Sequence, residues 1–298
     1  MITVIKYFII KQMKNYLKRV NTILRNKALN GSRFVLVNFF PKYLNSYLLV
    51  EYPKSGGTWL GQLISSYLEI PFPRNRFPLL KSSLIHGHFL PKKRFKYFNK
   101  IFYMVRDGRD VMVSYYYYYF FLIEKRDPNL KDLLYIKKHL KFKDYTDVKN
   151  NLPSFIDFMF TNKPPKLIRF SYEGNWRDFN EKWLEFSKNF KNNVIQVKYE
   201  NLLKNTKDEL KRIIKEIGIK SIDEDKIEEI FEKFSFKNQT GRKPGEENPK
   251  SFLRKGVAGD WKNKFSKKAA EIFNYYAGDL LIKLGYEKDK GWLKKVKV

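Results

Sequence analysis

The sequence predicts an α/β fold: a single domain with a central parallel β-sheet flanked by helices. Three observations carry that expectation. Short apolar runs at Tyr47–Tyr52 (YLLVEY), Ile101–Val105 (IFYMV) and Asn193–Tyr199 (NVIQVKY) read as buried strands. Each is followed by a polar or glycine-containing loop and then a helical pattern, and strand–loop–helix repeated three times is the signature of a parallel sheet wrapped by helices. The chain has 298 residues, 43% of them hydrophobic, which is enough to bury a sizeable core and excludes global disorder.

In chain order, residues 1–32 form a basic, partly amphipathic lead-in ending at Asn30-Gly31, and residues 33–298 form the domain. The opening MITVIKYFIIKQMKNYLKRV has a short apolar stretch, interrupted by Lys6, that precedes its basic residues. That is the wrong order for a secretory signal. Two readings stand: a helix packed on its own domain, or a basic amphipathic helix on a membrane surface. The first strand ends at Pro53, and Thr58–Glu69 reads as a helix. A second helix starts at about Asp110. Residues 125–170, rich in Lys, Pro and Asn, read as an insertion with one short helix near Phe155–Phe160. A helix follows the third strand to Ile217. Residues 237–255 are nearly devoid of apolar side chains and read as a long loop, a setting where function concentrates. A closing helix is expected over Lys267–Leu284. No apolar run approaches the roughly 20 residues that a membrane-spanning helix needs.

The charge is lopsided: 60 Lys and Arg against 31 Asp and Glu, a formal net charge of +29. An anionic partner is one reading, whether nucleotide, nucleic acid, acidic glycan or anionic membrane. Bias toward residues encoded by A/T-rich codons (Lys, Asn, Ile, Tyr, Phe) is the other. The absence of cysteine excludes disulfides, thiolate zinc sites and a cysteine nucleophile. Three histidines (His86, His88 and His139) are too few for a His-rich metal site.

Three motifs carry chemistry. Tyr52-Pro-Lys-Ser-Gly-Gly-Thr-Trp59 leaves a strand and opens a helix, so unpaired backbone N–H groups and the helix dipole face one spot. Gly56 and Gly57 permit close approach of an anion, while Lys54, Ser55 and Thr58 add a charge and two hydroxyls. It is not a Walker A loop, because no Lys-Ser/Thr follows the last glycine. Arg106-Asp-Gly-Arg-Asp110-Val-Met-Val-Ser114 makes a second strand-to-helix edge, the place where open parallel sheets bind ligands. Arg254-Lys255-Gly256 opens the third motif, RKGVAGDWKNKF, with two cations and a flexible backbone suited to a terminal phosphate. Alone, the last two fit surface ion pairs or a solvated basic loop equally well.

Together and in this order the motifs resemble those of the sulfotransferases that use 3′-phosphoadenosine-5′-phosphosulfate (PAPS), of the cytosolic type. That family's patterns look like YPKSGTTW, RDPRDVxVS and RKGxxGDWKxxF. The likeness spans about residues 45–285, with smaller echoes at Trp176–Leu184 and Lys198–Leu202. It implies a P-loop-like phosphosulfate-binding loop, PAPS as sulfuryl donor, the desulfated 3′,5′-bisphosphate PAP as product, and no metal. By position, Lys54 would meet the oxygen bridging sulfur and 5′-phosphate, and Ser55, Gly56, Gly57 and Thr58 would hold that phosphate. Trp59, Tyr199 and Phe236 would pack on adenine. Arg106, Ser114, Arg254, Lys255 and Gly256 would bind the 3′-phosphate. In His86-Gly-His-Phe-Leu-Pro91, His88 aligns with the family's general base, and a histidine suits that task near neutral pH. His86 stands where the family has lysine, and the roles of His86 and His88 are open to exchange.

Gly57-Thr58 replaces a Thr-Thr pair, and Ser266-Lys267 replaces the Thr-Val centre of the animal cytosolic dimer motif, so that dimer is not expected. The implied acceptor is a hydroxyl or amine compound (carbohydrate, glycolipid, lipid alcohol or phenol), with Tyr115–Phe121 a candidate cleft lining. The implied location is cytoplasmic, with the basic surface open to peripheral membrane contact. Two rivals remain: a P-loop-like nucleotide-dependent phosphotransferase, which lacks its Gly-Lys-Ser/Thr here, and a non-catalytic basic nucleic-acid binder, for which no zinc-finger, RNP or basic-zipper pattern exists.

Overall fold

The computed structural model describes residues 39–44, 46–73, 82–162 and 174–296, together with Asn21, Val35 and Val37. Apart from Asn21, the basic lead-in lies outside them. Four parallel strands, β1 (Tyr47–Glu51), β2 (Leu84–Gly87), β3 (Ile101–Val105) and β4 (Val194–Lys198), are ordered β2-β1-β3-β4. All three expected strands are present, shortened by one residue at Tyr52, Asn193 and Tyr199. β2 was not foreseen. Its four residues, Leu-Ile-His-Gly, are too few and too polar to stand out as an apolar run; pairing with β1 along Tyr47↔Leu84 to Val50↔Gly87 makes them a strand.

Successive strand side chains point to opposite faces, and both faces are covered. Leu48, Val50, Ile101, Tyr103 and Val105 join one core, with Trp176, Trp183, Phe155 and Phe273 from the helices. Leu49, Phe102, Met104, Ile195 and Val197 join the other. That two-sided burial explains why the strands read as unbroken apolar runs.

The helices are α1 (Gly57–Tyr67), α2 (Gly108–Tyr117), α3 (Lys131–His139), α4 (Val148–Thr161), α5 (Trp176–Asn189), α6 (Tyr199–Lys204), α7 (Thr206–Ile217), α8 (Glu224–Lys233), α9 (Phe236–Thr240), α10 (Trp261–Lys264) and α11 (Lys267–Lys283). α1, α7 and α8 cover one face; α2, α4, α5 and α11 cover the other. α2 continues through a π-helical stretch, Tyr118–Ile123, and a turn, Glu124–Arg126. No helix among the described residues is long and apolar enough to cross a membrane.

Several expectations are corrected. The stretch expected as an insertion with one short helix carries two, α3 and α4, and Leu133, Ile136, Leu152, Phe155 and Ile156 belong to the main core. Its lysines hid the apolar stripe; residues 163–170 lie outside the described set. The helix expected to run to Ile217 is two helices broken at Asn205, whose side chain accepts from the Asp208 N–H and caps α7. The start of the loop at 237–255 belongs to α9. α5, with a capping box between Asn175 and Asp178, and α8 were not anticipated.

Candidate active site

The strand β1 ends in a tight turn at the head of α1. Lys54 (φ 74°) and Gly56 (φ 101°) are both left-handed, the Ser55 N–H donates to the Tyr52 carbonyl at 3.2 Å, and no side chain caps the helix. A left-handed lysine is uncommon and marks a backbone held by its surroundings. A side chain at Gly56 would meet the Tyr199 ring at 2.7 Å, so glycine is required there on two counts. The Ser55 hydroxyl is buried and has no hydrogen-bond partner among the described residues. A buried polar atom left unmatched costs about 1–3 kcal/mol, which a ligand oxygen would recover.

The second and third motifs close on this turn. Arg106 donates to the Lys54 carbonyl at 3.2 Å and the Val257 carbonyl at 3.5 Å, lies 3.9 Å from the Asp110 carboxylate, and stacks 4.3 Å over the Tyr199 ring. Its Nε is buried without a hydrogen-bond partner among the described residues. Asp110 in turn accepts from the Gly259 and Trp261 N–H groups at 2.6 and 2.9 Å, locking the late loop onto α2. In that loop Arg254 pairs with Asp260 at 2.7 Å and with Glu247, and Lys255 pairs with Asp260 at 2.6 Å. Gly256 (φ 64°) leaves room for Phe236, which a Cβ would approach to 2.5 Å. Trp59 packs edge-on against Tyr199, centroids 6.1 Å apart, and donates to the Phe234 carbonyl at 3.0 Å. Ser114, half-buried two turns into α2, makes no side-chain hydrogen bond among the described residues.

The Lys54 ammonium lies 4.6 Å from the Tyr118 ring centroid and 4.3 Å from that of Phe252. Burial pushes its pKa down to about 7; Glu51 opposes the shift, and Arg106 and Arg254 add to it. Of the aromatic run, Tyr116, Tyr117 and Phe120 are core, while Tyr118, Tyr119 and Phe121 sit at its rim.

The two histidines meet at a residue that motif reading missed. Glu51, the buried last residue of β1, accepts from His86 Nε2 at 3.0 Å through Oε1 and from the Gly57 N–H at 2.5 Å through Oε2. Its main-chain carbonyl bonds His88 Nδ1 at 2.9 Å. A carbonyl only accepts, so Nδ1 carries the proton, and Nε2 of a neutral His88 is the basic nitrogen. The imidazole centroids are 5.5 Å apart. Burial raises the Glu51 carboxyl, but the His86 hydrogen bond and the charges of both histidines outweigh it and leave the group below its ordinary value. One signal for Glu51 was available: a carboxylate inside YLLVEY, an otherwise apolar strand ending at the anion loop.

Two neighbouring strand-to-helix edges with buried unmatched polar atoms, and two histidines tied to Glu51 beside them, have the chemistry to bind an anion and to move a proton. The model of the sulfotransferase domain matches residues 72–285, and the chain belongs to that family. It is 26% identical over 267 residues to sulfotransferase 1A1 of Canis lupus familiaris, covering 76% of this chain and 80% of that one. It is 24% identical over 291 residues to the 3-beta-hydroxysteroid sulfotransferase of Cavia porcellus, covering 82% and 90%. Among solved structures, mouse sulfotransferase SULT7A1 complexed with PAP superposes with a TM-score of 0.59 at 22% identity, covering 92% and 94%. The chain is a sulfotransferase.

Proposed function

We propose that the chain moves a sulfuryl group in line from PAPS to an acceptor hydroxyl or amine, with His88 as general base. The observation that carries this reading is Arg106. One buried guanidinium joins the carbonyls of Lys54 and Val257, so residues from all three motifs meet at Arg106, and the buried Ser55 hydroxyl and Arg106 Nε have no hydrogen-bond partner among the described residues. The PAP bound by the mouse relative fits that chemistry.

In this scheme Ser55, Gly56 and Thr58 hold the 5′-phosphate. Gly57 lends its shape, since its N–H faces Glu51. Arg106, Ser114, Arg254, Lys255 and Gly256 take the 3′-phosphate, and Trp59, Tyr199 and Phe236 enclose adenine. As the sulfur–oxygen bond to phosphate breaks, Lys54 and the head of α1 meet the growing negative charge. The new sulfur–oxygen bond forms on the acceptor, whose proton passes to His88 Nε2. His88 is preferred to His86 for that step because it aligns with the family's general base, whereas His86 Nε2 is bonded to the Glu51 carboxylate. Residues 33–298 are the catalytic domain and 1–32 its lead-in.

The rim formed by Tyr118, Tyr119, Phe121 and Phe252, and the steroid named for the guinea-pig relative, favour a largely apolar alcohol or phenol as acceptor. Exposed Phe39, Phe40, Tyr43 and Tyr97 among Lys42, Lys93, Arg94 and Lys96 suit contact with an anionic membrane from the cytoplasmic side. The test of the donor is a melting comparison. PAP at 100 times its Kd should add about 2.7 kcal/mol of stability. Equal shifts with PAP and AMP would remove the 3′-phosphate site.

A further inference from the structure

Both halves of the site are tied to Glu51. Its carboxylate is pinned at each oxygen, by the Gly57 N–H at 2.5 Å and by His86 Nε2 at 3.0 Å. Its carbonyl orients His88. Glycine at position 57 leaves room for the carboxylate where it lies: a Cβ there would stand 2.6 Å from Glu51 Cδ and 2.8 Å from Oε1. The carboxylate therefore fills the volume a side chain at 57 would take and occupies an amide at the head of α1. The charged and titratable groups around it come from three elements: His86 from β2, His88 from the segment after β2, and Lys54 from the turn after β1. Arg106 and Arg254 face Lys54 from the other motifs. Among the described groups, Glu51 is the one that favours the Lys54 ammonium; burial, Arg106, Arg254 and Arg126 disfavour it.

We propose that Glu51 is a positioning residue for sulfuryl transfer, clamping the two histidines against the phosphosulfate loop and supplying the negative charge beside Lys54. It touches no reacting atom in this scheme. The proposal rests on the reading of Lys54 as the cation on the leaving oxygen.

The experiment measures PAPS affinity by calorimetry between about pH 6 and pH 9, for wild type, Glu51→Gln and Glu51→Asp, a window that brackets the Lys54 pKa of about 7. Wild-type affinity should fall as pH rises through that value, because the ammonium is lost. In Glu51→Gln one counter-charge is gone, and the fall should begin about one pH unit lower, a tenfold change in the protonation equilibrium. Glu51→Asp keeps the charge but is too short to hold both partners, so its midpoint should lie between the two. Lys54→Met should flatten the fall in either background, which identifies the titrating group. Coincident curves for wild type and Glu51→Gln, in proteins that still prefer PAP to AMP, overturn the proposal. If Glu51→Gln does not fold, an unshifted Glu51→Asp midpoint does the same. Loss of the PAP preference in wild type instead overturns the donor reading itself.

Discussion

In the proposed scheme the donor side and the proton-transfer side of the site are built differently. The donor side comes from three continuous segments, each leaving a strand or loop for a helix, and its cations are held before any ligand arrives: Arg106 by two carbonyls and Asp110, Arg254 and Lys255 by Asp260. The proton side comes from single residues on different strands, Glu51 on β1 and His86 on β2, joined by one carboxylate and one carbonyl. On the proposed reading, donor binding draws on many groups in the first, whereas the second hangs on a few hydrogen bonds. Substitutions should therefore separate affinity from turnover.

The largest effect is expected at His88. His88→Ala should lower kcat and kcat/KM together by about 10²–10⁴-fold while PAP binding stays within a few fold, since a general base acts in the transition state. His86→Ala is the paired comparison. If His86→Ala stops turnover and His88→Ala does not, the two roles are exchanged and the alignment of His88 with the general base fails. Melting curves must accompany both, because each ring is hydrogen-bonded to Glu51.

Next in size is Arg106. Arg106→Ala removes charge-assisted contacts worth about 1.5–3 kcal/mol each, so PAP affinity should fall roughly 10- to 150-fold, with a smaller loss for AMP. Arg254→Ala should follow the same pattern more weakly, because its guanidinium is already shared between Glu247 and Asp260. Equal losses for PAP and AMP in both variants would place neither residue at the 3′-phosphate. With the donor side intact, kcat/KM for PAPS should decline above about pH 7 as Lys54 loses its proton, its pKa lying there because of burial.

The same contrast explains what could be read from the chain alone. The proposed donor side is encoded by local spacing: YPKSGGTW and RKG each place their candidate anion-facing groups within about one turn, and RDGRDVMVS places Arg106 and Ser114 about two turns apart. The strands β1, β3 and β4 were legible because burial on both faces leaves unbroken apolar runs. β2 was hidden by its length and by His86, and α3 by lysines on its exposed side, while the helix expected near Phe155–Phe160 lies within the longer α4. Glu51 was hidden for a different reason. Its partners lie 35 and 37 residues away on a neighbouring strand and its extension, and only the β1–β2 register brings them together.

The smallest effect should come from Gly57, where the two sides touch. Gly57→Ala adds one methyl at the head of α1, 2.6 Å from Glu51 Cδ. A free carboxylate at the end of a flexible side chain would swing aside at little cost. This one is held by His86, and by the very N–H of residue 57 that the methyl crowds. The cost of Gly57→Ala thus reports how firmly Glu51 is pinned. Overpacking a held group costs about 1–3 kcal/mol, against a few tenths if the group yields. Glu51→Ala empties the space, so Gly57→Ala should be nearly neutral in that background, and the two changes should combine to less than their sum. Denaturant unfolding of the four proteins measures this coupling, and PAP affinity measures whether it reaches the donor loop. Strict additivity in both would mean that Glu51 moves freely in solution and that the donor and proton sides are independent.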